Sequence, residues 1–82
     1  MNRLVMILDD NCDICTYHKP RAITMASQNQ LRYIEYKITE EGSYNYDIIG
    51  IPYFILEDMN DAVITEGCGG LGLDTIEKKL KE

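Results

Sequence analysis

The apolar positions of the chain fall into four short runs, each with the pattern of a β-strand. Residues 4–8 are apolar without alternation, which is typical of a central strand covered on both faces. Residues 31–38 alternate apolar and polar side chains, the pattern of a strand with one exposed face. Residues 53–56 and 62–66 predict two further strands, joined into a hairpin by the polar turn at 57–61.

Helical spacing of apolar residues follows the first strand, over about residues 12–28. The positions that share the apolar face of this predicted helix are Cys15, Ala22, Ile23 and Ala26. Pro20 lies inside the pattern and predicts a kink, because proline removes a backbone donor and crowds the preceding turn. We therefore predict a long helix, bent near its middle, between the first two strands.

A second helix is predicted near the end of the sequence. Asp74 is a favourable N-cap residue, and Glu77 three positions later completes a capping box. The glycine-rich stretch 67–72 before it predicts a bend. The buried stripe of this helix is formed by Leu73, Ile76 and Leu80. In the middle of the chain, the weakly patterned segment 39–49 fits one short helix.

The predicted order of elements is β-α-β-(α)-β-β-α. Two strands joined by a helix favour parallel pairing with a right-handed crossover, whereas a short turn favours an antiparallel hairpin. A four-stranded mixed sheet with flanking helices closes this pattern economically. We therefore predict an α/β (α+β sandwich) fold that forms a single domain over residues 1–82.

Charge and composition narrow the classes of partner. The chain has 82 residues, a formal net charge of −6 and 45% hydrophobic residues, which is ordinary for a globular domain. An acidic chain with scattered basic residues disfavours nucleic acid and anionic membranes as partners. The apolar run at residues 4–8 is too short for a signal peptide or a membrane span. We expect a soluble, cytoplasmic monomer that binds neither nucleic acid nor membrane.

The strongest chemical signal is Cys12-Asp13-Ile14-Cys15, placed where a buried strand gives way to a helix. The unpaired N–H groups and the dipole at a helix N-terminus lower the pKa of a thiol there. One helical turn then brings the second sulfur onto the same face. The pattern predicts a redox pair in which Cys12 is the exposed nucleophile and Cys15 resolves the mixed disulfide.

Metal binding is the main alternative for the same residues. Three cysteines are an odd number and exclude a complete disulfide framework. Cys68 and His18 could complete a zinc site with Cys12 and Cys15, and two chains could share an iron–sulfur cluster. A non-catalytic interaction domain is a third interpretation. Cys68 alone is also typical of a small buried apolar residue, and His18 of an exposed helix residue.

Several further motifs resemble the glutaredoxins, a compact branch of the thioredoxin superfamily. A first strand that runs directly into C-x-x-C is the glutaredoxin arrangement. Gly50-Ile51-Pro52-Tyr53-Phe54 resembles the Thr-Val-Pro segment with its cis proline, and Gly69-Gly70 resembles the double glycine that opens the last helix. Pro20 matches the helix-kinking proline of thioredoxins. The spacing Asp9-x-x-Cys12-x-x-Cys15 also resembles the DCC family of predicted thiol–disulfide oxidoreductases.

The glutaredoxin resemblance implies a small dithiol–disulfide oxidoreductase that reduces protein or glutathione mixed disulfides. It implies no bound cofactor, recycling by glutathione or a disulfide reductase, and electron donation to ribonucleotide reductase as a family role. The implied substrate-binding residues, beside catalytic Cys12 and Cys15, are Ile51, Pro52, Tyr53, Gly69 and Gly70. An extended substrate that pairs with the Ile51 backbone would be recognised by its own backbone more than by its side chains.

The sequence departs from glutaredoxins around the cysteine pair. Asp13-Ile14 stands where the family usually has Pro-Tyr, and Asp9-Asp10-Asn11 precedes the motif in place of a basic residue. Leu71-Gly72 follows the double glycine, where the family often has an acidic residue. Glutathione carries net negative charge, so an acidic rim weakens its capture. Acidic neighbours also oppose thiolate formation, and we therefore expect a reductant rather than an oxidant.

Overall fold

The computed structural model describes all residues 1–82 and contains the predicted elements in the predicted order. They are β1 (Arg3–Leu8), α1 (Asp13–Gln28), β2 (Arg32–Lys37), a 3-10 helix (Glu41–Asn45), β3 (Tyr53–Glu57), β4 (Val63–Cys68) and α2 (Gly69–Leu80). The 3-10 helix is the short helix expected between residues 39 and 49. Neither α-helix is long and apolar enough to cross a membrane.

The four strands form one mixed sheet in the order β2-β1-β3-β4. β1 and β2 run parallel, with Val5 opposite Ile34, as expected for two strands joined by a helix. β3 is antiparallel to both β1 and β4, and the last two strands form the predicted hairpin. The α/β class and the four-stranded mixed sheet are therefore confirmed.

Alternate residues of the two central strands point to opposite faces of the sheet, and both faces are covered. The face that packs against both α-helices is formed by Leu4, Met6, Phe54 and Leu56. The face that packs against the segment 38–51 is formed by Val5, Ile7, Tyr53 and Ile55. This double coverage explains why both central strands are continuous apolar runs.

The buried face of α1 differs at one position from the sequence prediction. Met25 is buried in place of Ile23, whose side chain is 43% exposed. With 3.6 residues per turn, Met25 lies about 60° around the helix from Ala22, whereas Ile23 lies about 100° from it and so farther from the centre of the buried face. α1 continues through Pro20, and the bend expected there stays a prediction. The other predicted positions are buried as expected, namely Cys15, Ala22 and Ala26.

The start of α2 differs more. The helix begins at Gly69 with Cys68 as its N-cap residue, so Asp74 lies inside the helix and the predicted capping box is wrong. The glycine-rich stretch is the junction of β4 with α2 rather than a bend. Gly67 and Gly72 permit this junction, because a Cβ atom on Gly67 would lie 2.7 Å from the Gly72 Cα. The Asp74 carboxylate is 2.7 Å from an Arg21 guanidinium nitrogen of α1, which links the two helices.

A buried carboxylate fastens the segment 38–51 to the sheet. Glu57, at the end of β3, accepts a hydrogen bond from the Tyr46 hydroxyl at 3.0 Å. The other oxygen of Glu57 lies 3.0 Å from Arg3 Nε. Burying a charge is unfavourable without such partners. Tyr46 and Arg3 therefore stabilise the carboxylate, and the Tyr46 hydrogen bond joins the covering segment to β3.

Candidate functional site

Each strand of the sheet and each α-helix has one of its ends at the same edge of the sheet. β1, β2 and β4 end at this edge, and β3 begins there. Both α-helices also begin there, since α1 follows β1 after four residues and α2 follows β4 directly. Helix N-termini carry unpaired backbone N–H groups and the positive end of the helix dipole. The edge therefore favours groups that carry negative charge, such as a thiolate.

Cys12 and Cys15 form a disulfide at this edge, with their Cα atoms 5.2 Å apart. Cys12 is the N-cap residue of α1, and its sulfur accepts a hydrogen bond from the Cys15 backbone N–H at 3.1 Å. The Cys15 side chain is only 1% exposed and packs into the core, whereas Cys12 is half-buried. The structure thus holds a disulfide between one partly exposed cysteine and one enclosed cysteine.

The segment before β3 and the start of α2 meet at the same edge. Ile51–Pro52 is a cis peptide, as the family resemblance implied. The Pro52 carbonyl accepts a hydrogen bond from the Gly69 N–H at 2.7 Å, which joins the two segments. Ile51 and Cys12 are both partly buried and pack against the same core cluster. A role for these residues in substrate binding stays a prediction.

The double glycine lets α2 begin close to α1. Gly69 has a φ of +65°, a left-handed conformation that glycine adopts without steric cost. A Cβ atom on Gly70 would lie 3.1 Å from the His18 imidazole, so a ring of α1 occupies the space beside this glycine. Both predicted substrate-binding glycines therefore have a structural reason to be glycine, whatever they contact in a complex.

Tyr53 points away from the disulfide. Its side chain is buried on the opposite face of the sheet from Cys15 and packs with Val5 and Ile7. The hydroxyl donates a hydrogen bond to Glu66 at 2.9 Å. Burial, and then this bond, raise the pKa of Tyr53 to about 12. The side chain therefore supports β3 from behind, which leaves only the backbone of this predicted residue for contact with a substrate.

We predict that three tyrosines ionise later than free tyrosine. Burial and bonds to carboxylates raise the pKa of Tyr33, Tyr46 and Tyr53 above the ordinary value of 10.0. The neutral Tyr53 phenol stabilises the folded state fully below pH 10, and this stability is lost as the pH rises through about 12, because the phenol of the unfolded chain ionises first. Phenolate absorbance should show part of the six tyrosines ionising late or with unfolding. Tyr53→Phe should remove one late step; a single transition near pH 10 would contradict the prediction.

Cys68 and His18 do not join the cysteine pair in a metal-binding group. The side chain of Cys68 packs on the face of the sheet opposite to Cys15, and its sulfur lies beside Gly50. No three His, Cys, Asp or Glu side chains lie close enough together to share a metal ion. The zinc interpretation needs four such side chains around one point, and this arrangement of residues does not fit it.

The charged groups near the pair include one contact that the sequence pattern does not reveal. The Lys37 ammonium lies 3.0 Å from the Asp10 carboxylate, and this bond raises the pKa of Lys37. The two residues are far apart in sequence, but Leu8 pairs with Lys37 in the parallel register of β1 and β2. That register, once known, places the end of β2 beside the loop that carries Cys12.

The disulfide lies on an open surface rather than in a pocket. The cavity found in the structure, about 480 Å³ in volume, lies between α1 and α2 and is lined by residues such as Met25, Gln28 and Leu80. These residues belong to the distant halves of the two helices. The cavity therefore does not adjoin the cysteine pair.

Comparison with known proteins gives a match at the level of structure. No protein-family model and no curated protein sequence matches the chain. A thioredoxin from Fasciola hepatica has a TM-score of 0.80 at 13% identity, covering 98% of this chain and 78% of its own. Thioredoxin 1 from Thermosipho africanus has a TM-score of 0.78 at 20% identity; the match covers 96% of this chain and 94% of that thioredoxin. Oxidised mitochondrial thioredoxin 3 from Saccharomyces cerevisiae has a TM-score of 0.78 at 16% identity; the match covers 98% of this chain and 76% of that thioredoxin.

The chain has the thioredoxin fold. The resemblance to the thioredoxin superfamily that the motifs indicated is thereby confirmed for the fold. A shared fold does not fix an activity, because one fold hosts many functions. These neighbours are thioredoxins, so the narrower resemblance to glutaredoxins stays a prediction.

Proposed function

We propose that the chain is a small dithiol–disulfide oxidoreductase that works through Cys12 and Cys15. The observation that carries the proposal is the cysteine pair at the N-terminus of α1, with Cys12 accessible and Cys15 enclosed. Thiol–disulfide exchange needs one sulfur that a partner can reach and a second sulfur close enough to displace that partner. The thioredoxin fold around the pair supports this assignment.

The proposed reaction transfers two electrons to a substrate disulfide. The Cys12 thiolate attacks one substrate sulfur, forms a mixed disulfide and releases the other substrate sulfur as a thiolate. Cys15 then loses its proton and attacks the Cys12 sulfur, which releases the second substrate thiol. The substrate is reduced and the Cys12–Cys15 disulfide is formed. Glutathione or a disulfide reductase then restores the dithiol.

The residues around the pair have separate parts in this reaction. The Cys15 N–H, 3.1 Å from the Cys12 sulfur, donates a hydrogen bond to the attacking thiolate. The open surface admits a protein substrate, for which the Ile51–Pro52 segment and Gly69–Gly70 supply contacts at the same edge. No bound cofactor is needed, because both electrons come from the two thiols.

The narrower features of the proposal follow the glutaredoxin resemblance. We infer that the protein acts as a cytoplasmic monomer on protein or glutathione mixed disulfides, with ribonucleotide reductase among the candidate partners. The motifs Cys12-x-x-Cys15 and Gly69-Gly70 support this inference. The acidic residues before Cys12 disfavour its thiolate. A strong oxidant needs a stabilised thiolate in its reduced form, so these residues favour a reductant.

Equilibration in glutathione redox buffers tests the proposed function directly. We expect Cys12 and Cys15 to interconvert reversibly with a two-electron potential of roughly −200 to −270 mV, the range of glutaredoxins and thioredoxins. The Cys68→Ser variant serves as the background, so that only the pair is titrated. Cys15→Ser in that background is the matched control and should show no intramolecular step. Absence of a reversible disulfide between Cys12 and Cys15 would overturn the proposal.

A further inference from the structure

The carboxylates beside the cysteine pair have fewer Lys or Arg partners than the carboxylates of α2. Asp74 and Glu77 on α2, and Glu82 just after it, each have a Lys or Arg nitrogen within 4.0 Å. Around the cysteine pair, Asp9 and Asp13 have no such partner, and Asp10 has only Lys37. The carboxylates beside the disulfide are therefore less fully compensated by basic groups than those of α2.

A single cation stands among these carboxylates. Lys37 is bonded to Asp10 through its ammonium group, and its backbone N–H donates to the Glu40 carboxylate at 2.8 Å. Asp9 accepts the backbone N–H of Asp10 at 2.8 Å, which fixes this carboxylate in the same loop. Asp9, Asp10, Asp13 and Glu40 thus form an acidic rim that one ammonium group only partly neutralises.

Apart from Lys37, the basic residues lie elsewhere in the fold. Lys19 and Arg21 of α1 are paired with Glu35 and Asp74. Arg3 and Arg32 stand at the starts of β1 and β2, the opposite end of both strands from Cys12. Lys78, Lys79 and Lys81 stand at the end of α2, which begins at the cysteine edge and runs away from it. Several of these basic residues are paired with carboxylates, namely Arg3, Lys79 and Lys81. A positively charged partner is therefore attracted more strongly to the end that carries the cysteines than to the opposite end.

Exposed apolar side chains accompany the acidic rim. Ile14, between the two cysteines, is 54% exposed, and Tyr17 on the next turn of α1 is 78% exposed. Apolar and aromatic side chains of this kind supply contact area in protein interfaces, whereas the charged rim supplies orientation and specificity. A small anionic thiol meets the repulsion of the rim and gains little from the apolar contact.

We propose that the physiological substrate is a protein disulfide flanked by basic residues, and that anionic disulfides such as oxidised glutathione are poor substrates. The inference rests on the proposed function and names its substrate class. The lysines or arginines of the partner lie against Asp9, Asp13 and Glu40 while its sulfur meets Cys12. Two electrons pass from the Cys12–Cys15 dithiol to the partner disulfide, as in the reaction above.

Two synthetic peptides test this inference. Each contains one disulfide, and they are identical except that lysines flank the cysteines in one and glutamates in the other. Reduced Cys68→Ser protein should reduce the lysine peptide about tenfold faster at low ionic strength, and the ratio should approach one in 1 M salt, where the Debye length is only about 3 Å. Oxidised glutathione should react at least as slowly as the glutamate peptide.

Charge-matched variants separate the rim from the chemistry. Asp13→Asn with Glu40→Gln should lower the ratio of the two rates several-fold, and the ratio cancels any common effect on Cys12 reactivity. Glu77→Gln with Glu82→Gln removes the same charge at the distant end and should leave the ratio unchanged. Equal rates for the two peptides, or an effect of both double variants alike, overturn the inference alone. Failure to reduce either peptide overturns the proposed function as well.

Discussion

Replacing Cys12 with serine should abolish disulfide reduction while leaving the fold intact. A serine hydroxyl fits the same N-cap position and can accept the Cys15 N–H, so the start of α1 is preserved. The hydroxyl is not ionised near neutral pH and does not attack a disulfide, so the rate should fall by at least about 10³-fold. The measurement is reduction of a peptide disulfide by reduced protein, with Cys68→Ser as the active control.

Replacing Cys15 with serine should give a different result, which distinguishes the two sulfurs. Cys12 still attacks the substrate, but the mixed disulfide is no longer displaced from within the protein. The covalent adduct should accumulate and be visible by mass spectrometry, whereas Cys12→Ser should give none because Cys15 is enclosed. An adduct on Cys15 in the Cys12→Ser variant, or full activity of that variant, would contradict the assignment of Cys12 as nucleophile.

The sheet was predictable because its strands differ in how they are covered. A continuous apolar run such as Leu4–Leu8 requires apolar partners on both faces, and the structure supplies α-helices on one and residues 38–51 on the other. The helix between β1 and β2 favours parallel pairing, and the short turn after β3 favours a hairpin. These signals are local in the sequence, and in a chain of this length few other sheet topologies are compatible with them.

The elements that sequence patterns placed wrongly depend on contacts between distant residues. Asp74 has the chemistry of an N-cap residue, but the close approach of Gly67 and Gly72 lets α2 begin at Gly69, with its N-cap at Cys68, six residues earlier than Asp74. Ile23 is apolar but partly exposed, because α1 turns the face that contains Ala22 and Met25 toward the core. Tertiary packing overrides local preference in both cases.

The cysteine pair could be located from sequence because strand, loop and helix are contiguous around it. The charged groups around the pair could not be located from sequence, because they belong to segments that are distant in sequence and meet only in the folded structure. Lys37 reaches Asp10 through the register of β1 with β2. The zinc interpretation requires the Cys68 side chain to lie beside the pair, whereas the alternation of β4 turns it to the other face of the sheet.

The junction of β4 with α2 gives the second large effect, on stability rather than activity. Gly72→Ala places a methyl group against the backbone carbonyl of Gly67, which pairing with Phe54 holds in the sheet. Alanine favours a helix over glycine by about 1 kcal/mol, but overpacking against fixed backbone costs about 1–3 kcal/mol or more. We expect the overlap to exceed the helix gain and the free energy of unfolding to fall by about 2 kcal/mol, measured by urea denaturation of the oxidised protein.

Gly70→Ala is the matched control, because it adds the same methyl group two residues earlier in the same helix. Its neighbour is the His18 ring at 3.1 Å, a side chain that can rotate, rather than backbone held in a sheet. The gain in helix preference then offsets the crowding, and the free energy of unfolding should change by less than about 1 kcal/mol. Equal destabilisation by both substitutions would show that helix geometry in general limits stability. A loss confined to Gly72→Ala would show that direct strand-to-helix contact fixes α2, and with it the double glycine, beside the cysteine pair.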